Sequence, residues 1–289
     1  MKRSRGIALI QVLLISAIIS VLALYLSKSA REQIAMAQLS NDRAEALLML
    51  HSAQAEVLVA LLTHYREQDP NARELLPRRW NFYNQPFKWQ EGVEVRIQDQ
   101  SGLISVQFPE ASLVKQMYRQ LGYDTAQASG FIDRLLDWQD ADRLTRLNGA
   151  ESGEYETGPR DGGITLKSEL TKIKGFGLWQ QLSPSFTLYR RGPFNPTTST
   201  YEILAGLVGV DDANEVMAAR KSGFLTPARF SQITGLSEND NTIFYPGKVL
   251  EVTLTSTKHG LTLKKSLMLH LEPYAQGRQA PVDFLEVHW

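Results

Sequence analysis

The sequence predicts an α+β fold in which a long N-terminal helix packs on an antiparallel sheet and a large all-α domain is inserted into that sheet. Residues 27–66 contain neither proline nor glycine and continue an apolar N-terminal run. Apolar and polar residues alternate in two separate regions, near residue 95 and near residue 255. Because the stretch between these regions has a helical pattern, it is best read as an insertion between strands of one sheet.

These observations predict four parts. Residues 1–6 form a leader, and residues 7–26 form a transmembrane helix that continues as a spine helix to about residue 66. Two stretches, 67–108 and 241–289, form a β domain, and residues 109–240 form the inserted α-domain.

The apolar run at residues 7–26 contains no charged side chain. A helix crosses a bilayer with about 20 apolar residues, each rising about 1.5 Å. Lys2, Arg3 and Arg5 precede the run, and Gly6 lies at the junction. Because basic residues flank a span on its cytoplasmic side, we expect a single-pass membrane protein whose N-terminus stays in the cytoplasm and most of whose chain is exported.

Three interpretations of this N-terminal segment compete. A cleaved secretory signal usually has an apolar core of about 7–15 residues, and this core is longer. A plain transmembrane anchor fits the length. The third interpretation uses the position of Gly6, which resembles a type IV prepilin signal, where a prepilin peptidase cuts after the glycine. That cut would remove residues 1–6 and make Ile7 the new N-terminus.

Composition restricts the function classes. Lys and Arg together number 31 and so do Asp and Glu, so no overall field attracts nucleic acid or anionic lipid. The chain has no cysteine, so an exported protein of this sequence depends on packing, a metal or partners for stability. The histidines are scattered and no hydrolase or metalloprotease motif occurs, which argues against an enzyme.

The spine helix is predicted from composition and periodicity. Residues 27–66 are rich in good helix formers, and the helix from Ile7 would be roughly 90 Å long. The Asp69-Pro70 pair is expected to end it, and two helices with a bend at residues 27–29 are the alternative. One apolar stripe along the outer half is expected to pack on a domain: Leu47, Leu50, Val57, Leu58, Leu61 and Tyr65.

The strands are predicted from alternation with a period of two. Residues 93–98 and 104–108 alternate on either side of a turn at residues 99–102, which predicts a hairpin. The same pattern returns at residues 250–255 and 267–271, with a turn at residues 258–260 between them. A sheet with one apolar face needs a covering layer, and the spine helix supplies it.

The inserted region is predicted to be a set of short helices separated by turns marked by glycine and proline. The segments are Ala111–Leu121, Ala126–Trp138, Lys167–Ile173, Thr200–Leu207, Asp212–Lys221 and Pro227–Ile233.

Two blocks in this region carry a family resemblance. The block DWQDADRLTRLNGAESGEYE at residues 137–156, and FNPTTSTYEILAGL at residues 194–207, resemble blocks of minor pseudopilin K of the type II secretion system, the GspK family. The order of parts along nearly the whole chain is also similar to that family. The fold this implies is a pseudopilin fold with an inserted α-domain.

The resemblance implies an assembly role. Proteins of this family sit at the tip of the periplasmic pseudopilus, in complex with minor pseudopilins I and J, and help to initiate or cap the filament that exports folded proteins. Other pseudopilins, the prepilin peptidase and the inner membrane are the further partners it implies. By the same resemblance, the peptidase would cut between Gly6 and Ile7, and Ile7 would be methylated.

Gln11 supports the resemblance from a second direction. Most pilins and pseudopilins carry a glutamate five residues after the cleavage site, whereas this family characteristically lacks it, and here the position holds Gln11. A carboxylate inside a membrane costs about 2.5–3.5 kcal/mol unless it is paired. A tip subunit has no neighbour above it to supply a paired amine, so an uncharged residue fits a tip; a merely tolerated polar residue in an anchor is the alternative.

An acidic segment predicts a calcium site. Asp137, Asp140, Asp142 and Glu151 lie in a short stretch that contains glycine, and like charges so close together need water or a cation. Calcium is the expected cofactor, since relatives in the family bind it in the inserted domain. The alternative is a solvated acidic loop, with Asp137 or Asp140 capping a helix.

A DNA-uptake protein is the alternative function. Residues 201–236 resemble the helix-hairpin-helix pattern of membrane-anchored DNA receptors, which bind phosphate through backbone N–H groups. Asp211 and Asp212 follow the first turn, and carboxylates there repel phosphate. The turn at residues 175–177 is a better candidate, but a net charge of zero argues against nucleic acid as a partner.

Overall fold

The fold is built around one uninterrupted helix. In the computed structural model, which describes residues 7–69, 71–156, 158–175, 182–190, 192–223 and 225–289, helix α1 spans Ile7–Thr63. It ends shortly before the predicted position near residue 66 and passes through residues 27–29 as continuous helix. Pro70, expected to end it, lies outside the described residues. At about 1.5 Å per residue, α1 is roughly 85 Å long.

A five-stranded antiparallel sheet covers the outer half of α1. The strand order is β1-β2-β5-β6-β7. The strands are β1 Phe87–Gln90, β2 Val93–Asp99, β5 Val249–Lys258, β6 Leu261–Leu271 and β7 Val282–His288. The predicted strands near residues 250 and 267 are confirmed as β5 and β6, joined at His259 and Gly260, both with positive φ. The sequence analysis missed β1 and β7, the two edge strands.

The predicted hairpin between residues 93–98 and 104–108 is wrong. β2 pairs with β1 and β5 instead, and a 3-10 turn at Gln100–Gly102 turns the chain away from the sheet. The Asp99 carboxylate accepts the Ser101 N–H, which caps this turn. Strand β3, Ile104–Ser105, then pairs in parallel with β4, Phe186–Thr187, in a separate two-stranded sheet. Short-range alternation predicted a strand here but not its partner.

Helix α1 and the sheet share one apolar core. Leu50, Ala53, Val57 and Leu61 of α1 face the sheet with almost no exposed surface. Trp80 and Phe82, between α1 and β1, close the end of this layer. The residues of the sheet in this core are Phe87, Val93, Val95, Ile97, Leu250, Val252, Leu254, Leu267, Leu269 and Leu271.

The inserted region contains the predicted helices with small shifts at their ends. They are α3 Ala111–Gln120, α4 Thr125–Asp137, α5 Tyr201–Val208, α6 Val210–Lys221 and α7 Pro227–Thr234, with 3-10 turns at Lys167–Lys172 and Pro196–Thr198; a short α2, Leu75–Arg79, precedes β1. Asp124 and Gln127 form a capping box that starts α4. The insert also contains β4, so it is helical but not entirely so.

The insert has its own apolar cores. Tyr118 of α3 and Leu135 of α4 are fully buried in the larger one, which also contains Ile104 and Phe186 of the small sheet. Phe230 of α7 is fully buried in a second one, formed with α5 and α6. The apolar core beneath the main sheet is separate from both. No single apolar core therefore spans the junction between the main sheet and the insert in the described residues, so other contacts must fix how the two pack together.

Candidate functional site

The N-terminal third of α1 has the length and hydropathy of a transmembrane helix. In the described residues, this is the one helix with a window of membrane-spanning length and hydropathy, with a mean of 2.6 and none of it buried in the protein. Gln11 is exposed within that apolar segment. Gly6 and the side chain of Ile7 lie outside the described residues, so cleavage between them stays a prediction. The apolar helix fits a single transmembrane anchor.

Beyond the anchor, α1 has an outer face that lies opposite the sheet. Residues three and four apart share a face of a helix, and the residues on this one are spaced in that way. All are exposed, and no member is charged. We call this set the outer face: Ala30, Ile34, Ala37, Asn41, Ala44, Leu48, Ser52, Ala55 and Val59.

Several charged side chains of α1 contact the sheet instead. Glu45 Oε2 lies 2.8 Å from the Lys258 Nζ. Asp42 Oδ1 lies 2.9 Å from the His259 Nδ1, at the turn between β5 and β6. Glu56 accepts a hydrogen bond of 2.8 Å from the indole N–H of Trp89. These contacts hold carboxylates beside the sheet. The outer face, from Ala30 to Val59, is free of charge over about eight helical turns.

The acidic segment is organised around Arg146, which the sequence analysis overlooked. Asp137 is fully buried at the end of α4, and its Oδ1 pairs with the Arg146 guanidinium. Its Oδ2 accepts the backbone N–H groups of Arg146 at 3.2 Å and Ala150 at 3.0 Å. The same guanidinium pairs with Asp140 Oδ2 and so joins the two carboxylates. A basic residue inside an acidic block was the sequence signal for this arrangement.

Gly149 is required by the same arrangement. A Cβ at this position would lie 1.7 Å from Asp137 Oδ2, much closer than any real contact. The loop can therefore wrap around the Asp137 carboxylate only if it carries glycine there. The sequence NGA at residues 148–150 is thus explained by close packing against a buried carboxylate.

Glu151 has the least satisfied carboxylate of the segment. It is 7% exposed, and neither of its oxygens accepts a hydrogen bond of normal geometry. Burial raises the pKa of Glu151, and the negative charges of Asp137, Asp140 and Asp161 raise it further. The nearby Ser152 backbone N–H offsets only part of this shift. Such a carboxylate is under-neutralised, which is the condition a cation relieves.

The predicted calcium ligands are only partly brought together. Asp140 Oδ1 is buried without a hydrogen-bond partner, as are both oxygens of Glu151. Asp137 is occupied by Arg146 and two backbone N–H groups. Asp142 is exposed and accepts the Leu144 N–H at 2.8 Å. In the described ranges, no group of three or more acidic or histidine side chains is positioned to hold a metal ion. Asp140 and Glu151 are therefore the two predicted ligands with unsatisfied oxygens, and calcium binding stays a prediction.

The geometry of the helical hairpins does not favour the DNA-uptake alternative. Gly209 joins α5 to α6 with a positive φ, as a hairpin turn requires. Asp211 and Asp212 lie in the first turn of α6, where a phosphate would have to bind. Gly175 also has a positive φ, but residues 176 and 177 lie outside the described part of the chain.

Comparison with known proteins shows similarity to one family of secretion proteins. A family model described as type II secretion system, protein K, matches residues 96–191. A type II secretion system protein K from Pseudomonas aeruginosa is 29% identical over 268 residues, covering 83% of this chain and 80% of the relative. One from Klebsiella pneumoniae is 26% identical over 278 residues, covering 84% of each.

A solved structure shares the fold. It is a crystal structure of the GspK-GspI-GspJ complex from the type 2 secretion system of enterotoxigenic Escherichia coli, in which the matching chain has a TM-score of 0.56 and 17% identity. The match covers 87% of this chain and 98% of that one. The family model, the two relatives and this shared fold confirm the resemblance of the chain to type II secretion system protein K.

Proposed function

We propose that this protein is the tip subunit of the type II secretion pseudopilus, where it initiates or caps the assembly that exports folded proteins. The observation that carries the proposal is the outer face of α1, which is uncharged and exposed from Ala30 to Val59. A solvent-facing helix surface normally carries charges, so an exposed surface that is uncharged and mostly apolar indicates a protein partner.

The partners proposed for this face are the spine helices of minor pseudopilins I and J. The solved structure that shares the fold is a complex of K, I and J proteins. The spacing of three and four residues on the outer face suits a second helix packed nearly parallel to α1. Its alanines allow close approach, while Ile34, Leu48 and Val59 supply larger apolar contacts.

The size of the folded part beyond α1, the main sheet together with the insert, which we call the head, supports a position at the end of a filament. The insert adds helices α3 to α7 to a sheet that already covers the spine. A subunit with this additional bulk obstructs the addition of another subunit above it, while its α1 still contacts neighbours below. The role is structural and needs no catalytic group. The head belongs in the periplasm and α1 in the inner membrane, as the basic N-terminal flank predicts.

The outer face is tested by coexpressing the full chain with minor pseudopilins I and J and measuring their copurification. Leu48→Glu places a charge at the centre of the face and is expected to reduce copurification strongly. Met36→Glu is the matched control, because Met36 is an exposed apolar residue of α1 outside the outer face. Undiminished copurification of Leu48→Glu would contradict the proposed contact.

The leader is tested separately by mass spectrometry of the mature N-terminus. Processing by the prepilin peptidase between Gly6 and Ile7 predicts a methylated chain that begins at Ile7. An intact Met1 would identify a plain anchor instead, and assembly through α1 would then have to occur without removal of the leader.

We further propose that the acidic segment binds calcium through Asp140 and Glu151. Their unsatisfied buried oxygens support this, because calcium takes oxygen ligands and neutralises carboxylates. Bound calcium would stabilise the loop between α4 and the 3-10 turn at Lys167–Lys172. A ligand at 100 times its dissociation constant stabilises the folded state by about 2.7 kcal/mol.

Thermal unfolding with and without calcium tests this proposal. Millimolar calcium is expected to raise the Tm of the wild-type chain, while magnesium at the same concentration has a smaller effect. Glu151→Gln is expected to lose the calcium response, and Glu156→Gln, at an exposed position of the same segment, to keep it. An unchanged Tm in the wild type would contradict calcium binding.

A further inference from the structure

The segment Asn195–Ser199 lies at the junction between the main sheet and the insert. It contains the 3-10 turn Pro196–Thr198, and Asn195 caps that turn by accepting the Thr197 N–H. Each of its five residues is buried, although four have polar side chains. A buried polar segment is costly unless its groups are hydrogen-bonded, so its partners define what it does.

Two side chains of this segment donate hydrogen bonds to the buried carboxylate of Asp99. Asp99, the last residue of β2, is fully buried. Its Oδ2 accepts hydrogen bonds of 2.9 Å from both the Asn195 amide and the Thr198 hydroxyl. Its Oδ1 accepts the N–H groups of Ser101 at 3.0 Å and Gly247 at 3.2 Å, so both chain connections to the insert also converge on it.

Two backbone carbonyls of the same segment accept hydrogen bonds from the buried guanidinium of Arg220. Arg220 of α6 is 3% exposed. Its Nη1 donates to the Ser199 carbonyl at 2.7 Å, and its Nη2 donates to the Thr197 carbonyl at 2.8 Å. The guanidinium also lies over the ring of Tyr83, 4.7 Å from its centre, and Tyr83 precedes β1 of the main sheet.

The two charges therefore hold the segment from its two chemical sides. Donors of the segment contact Asp99 and acceptors of the segment contact Arg220, so each charged side chain loses two hydrogen bonds if the segment moves away. Burial lowers the pKa of Arg220 to about 10 and raises the pKa of Asp99, because both side chains lose the hydration of their charged forms. A displaced segment would leave the buried Arg220 guanidinium without both carbonyl acceptors and Asp99 with only its hydrogen bonds from Ser101 and Gly247, which is unfavourable for buried charges.

Gly102 allows the sheet side to approach this closely. A Cβ at Gly102 would lie 2.4 Å from the Thr198 Oγ1 and 2.7 Å from the Thr198 carbonyl carbon. The Gln98 amide also donates to the Thr198 carbonyl at 3.0 Å. The turn that leaves β2 is thus in direct contact with the segment, with no side chain between them.

We infer that Asn195–Ser199 is a latch that fixes the orientation of the helical insert on the spine helix and sheet. The apolar cores on either side are separate, so the latch supplies the directional contact between them. The orientation of the insert relative to α1, and with it the surface presented beyond the filament, depends on this segment.

The latch is tested by distances between spin labels in the full chain in detergent micelles. Because the chain has no cysteine, Ser52→Cys on α1 and Gln116→Cys on α3 give one label on each side of the junction. The labelled wild type is expected to give one narrow distance peak. Asp99→Asn and Arg220→Met are expected to broaden it or add a second peak, while near-native circular dichroism shows that the helices remain.

Ile203→Val is the control, because Ile203 is fully buried in the insert but outside the latch. It is expected to keep the narrow peak despite a loss of core packing. If the charge variants do not fold, Thr198→Val removes one hydrogen bond to Asp99 and is expected to broaden the peak to a smaller extent. Folded variants with an unchanged narrow peak would overturn the inference.

Discussion

The contact between α1 and the main sheet differs in kind from the contact between the sheet and the insert. The first is apolar: Leu50, Val57 and Leu61 of α1 pack on aliphatic and aromatic side chains of the strands. The second is polar and charged, with Asp99 and Arg220 bound to opposite sides of one short segment. Both contacts are buried, yet they contribute different properties to the protein.

The difference concerns tolerance to displacement. Apolar contact is stabilised roughly in proportion to buried area and accepts small shifts, so it gives strength with little directional preference. Hydrogen bonds to a buried charge require donor–acceptor distances of about 2.7–3.2 Å and nearly linear angles, so they restrict the geometry more than apolar contact does. The spine–sheet contact should therefore dominate stability, whereas the latch should dominate orientation.

The largest loss of stability is expected from the spine–sheet core. Ile97→Ala removes a fully buried side chain from the centre of β2, between β1 and β5. Substitutions of this type reduce the free energy of unfolding by about 2–5 kcal/mol, through lost transfer energy and the cavity left behind. Urea unfolding followed by tryptophan fluorescence measures it. Ile97→Val should cost only about 0.5–1.5 kcal/mol, and an equal loss for both would contradict cavity formation.

An intermediate loss is expected at the junction. Gly102→Ala forces a methyl group against Thr198, and such overpacking costs about 1–3 kcal/mol. The same variant should broaden the distance peak between labels on α1 and α3, which Ile97→Val should not. Gly153→Ala is the matched control, since a Cβ there meets no atom within 4 Å. If Gly102→Ala destabilised the protein without any change in orientation, the comparison between the two contacts would fail.

A smaller effect of opposite sign is expected in the acidic segment without calcium. Glu151→Gln removes a buried charge that accepts no hydrogen bond of normal geometry, and should stabilise the calcium-free protein by about 1 kcal/mol at neutral pH. The folded-state pKa of Glu151 is raised, so the folded state binds its proton more tightly than the unfolded state does. Stability contributed by this group is therefore gained as pH falls below the raised pKa and lost as pH rises through it.

Unfolding free energies measured between pH 4 and pH 7 test this sign. The wild type should lose stability relative to Glu151→Gln as pH rises through this range. Glu156→Gln, at an exposed position, should run parallel to the wild type. A wild-type advantage that grows with pH would contradict the burial of an uncompensated charge at Glu151.

Sequence periodicity was sufficient for the contact that depends on apolar faces. Helix α1 and strands β5 and β6 follow from regular patterns, because one buried side imposes a period on the sequence. The edge strands β1 and β7 escaped, since an edge strand has weaker alternation. The hairpin after β2 failed because Asp99 and Gly102 turn the chain toward partners nearly 100 residues away.

Polar sites were harder to predict from the sequence, because their partners also lie far apart along the chain. The acidic block was visible as composition, but the pairing of Arg146 with Asp137 and Asp140 depends on how the loop folds. The FNPTTS block was visible only as a resemblance. Its partner Asp99 precedes it by 96 residues and its partner Arg220 follows by 21 or 23, so no local pattern reveals the latch.

The smallest effect on stability is expected on the outer face of α1, which belongs to neither contact. Val59 is 59% exposed, so Val59→Ser should change the free energy of unfolding by less than about 0.5 kcal/mol. Urea unfolding of the isolated chain measures this, and copurification with minor pseudopilins I and J measures assembly. Val57→Ser, two residues away and buried against the sheet, is the control and should lower the free energy of unfolding much more than Val59→Ser does. Because the outer face contributes to association instead of folding, Val59→Ser should weaken copurification without loss of stability. A loss of stability as large as that of Val57→Ser would show that the outer face is already covered by this chain and is not available to a partner.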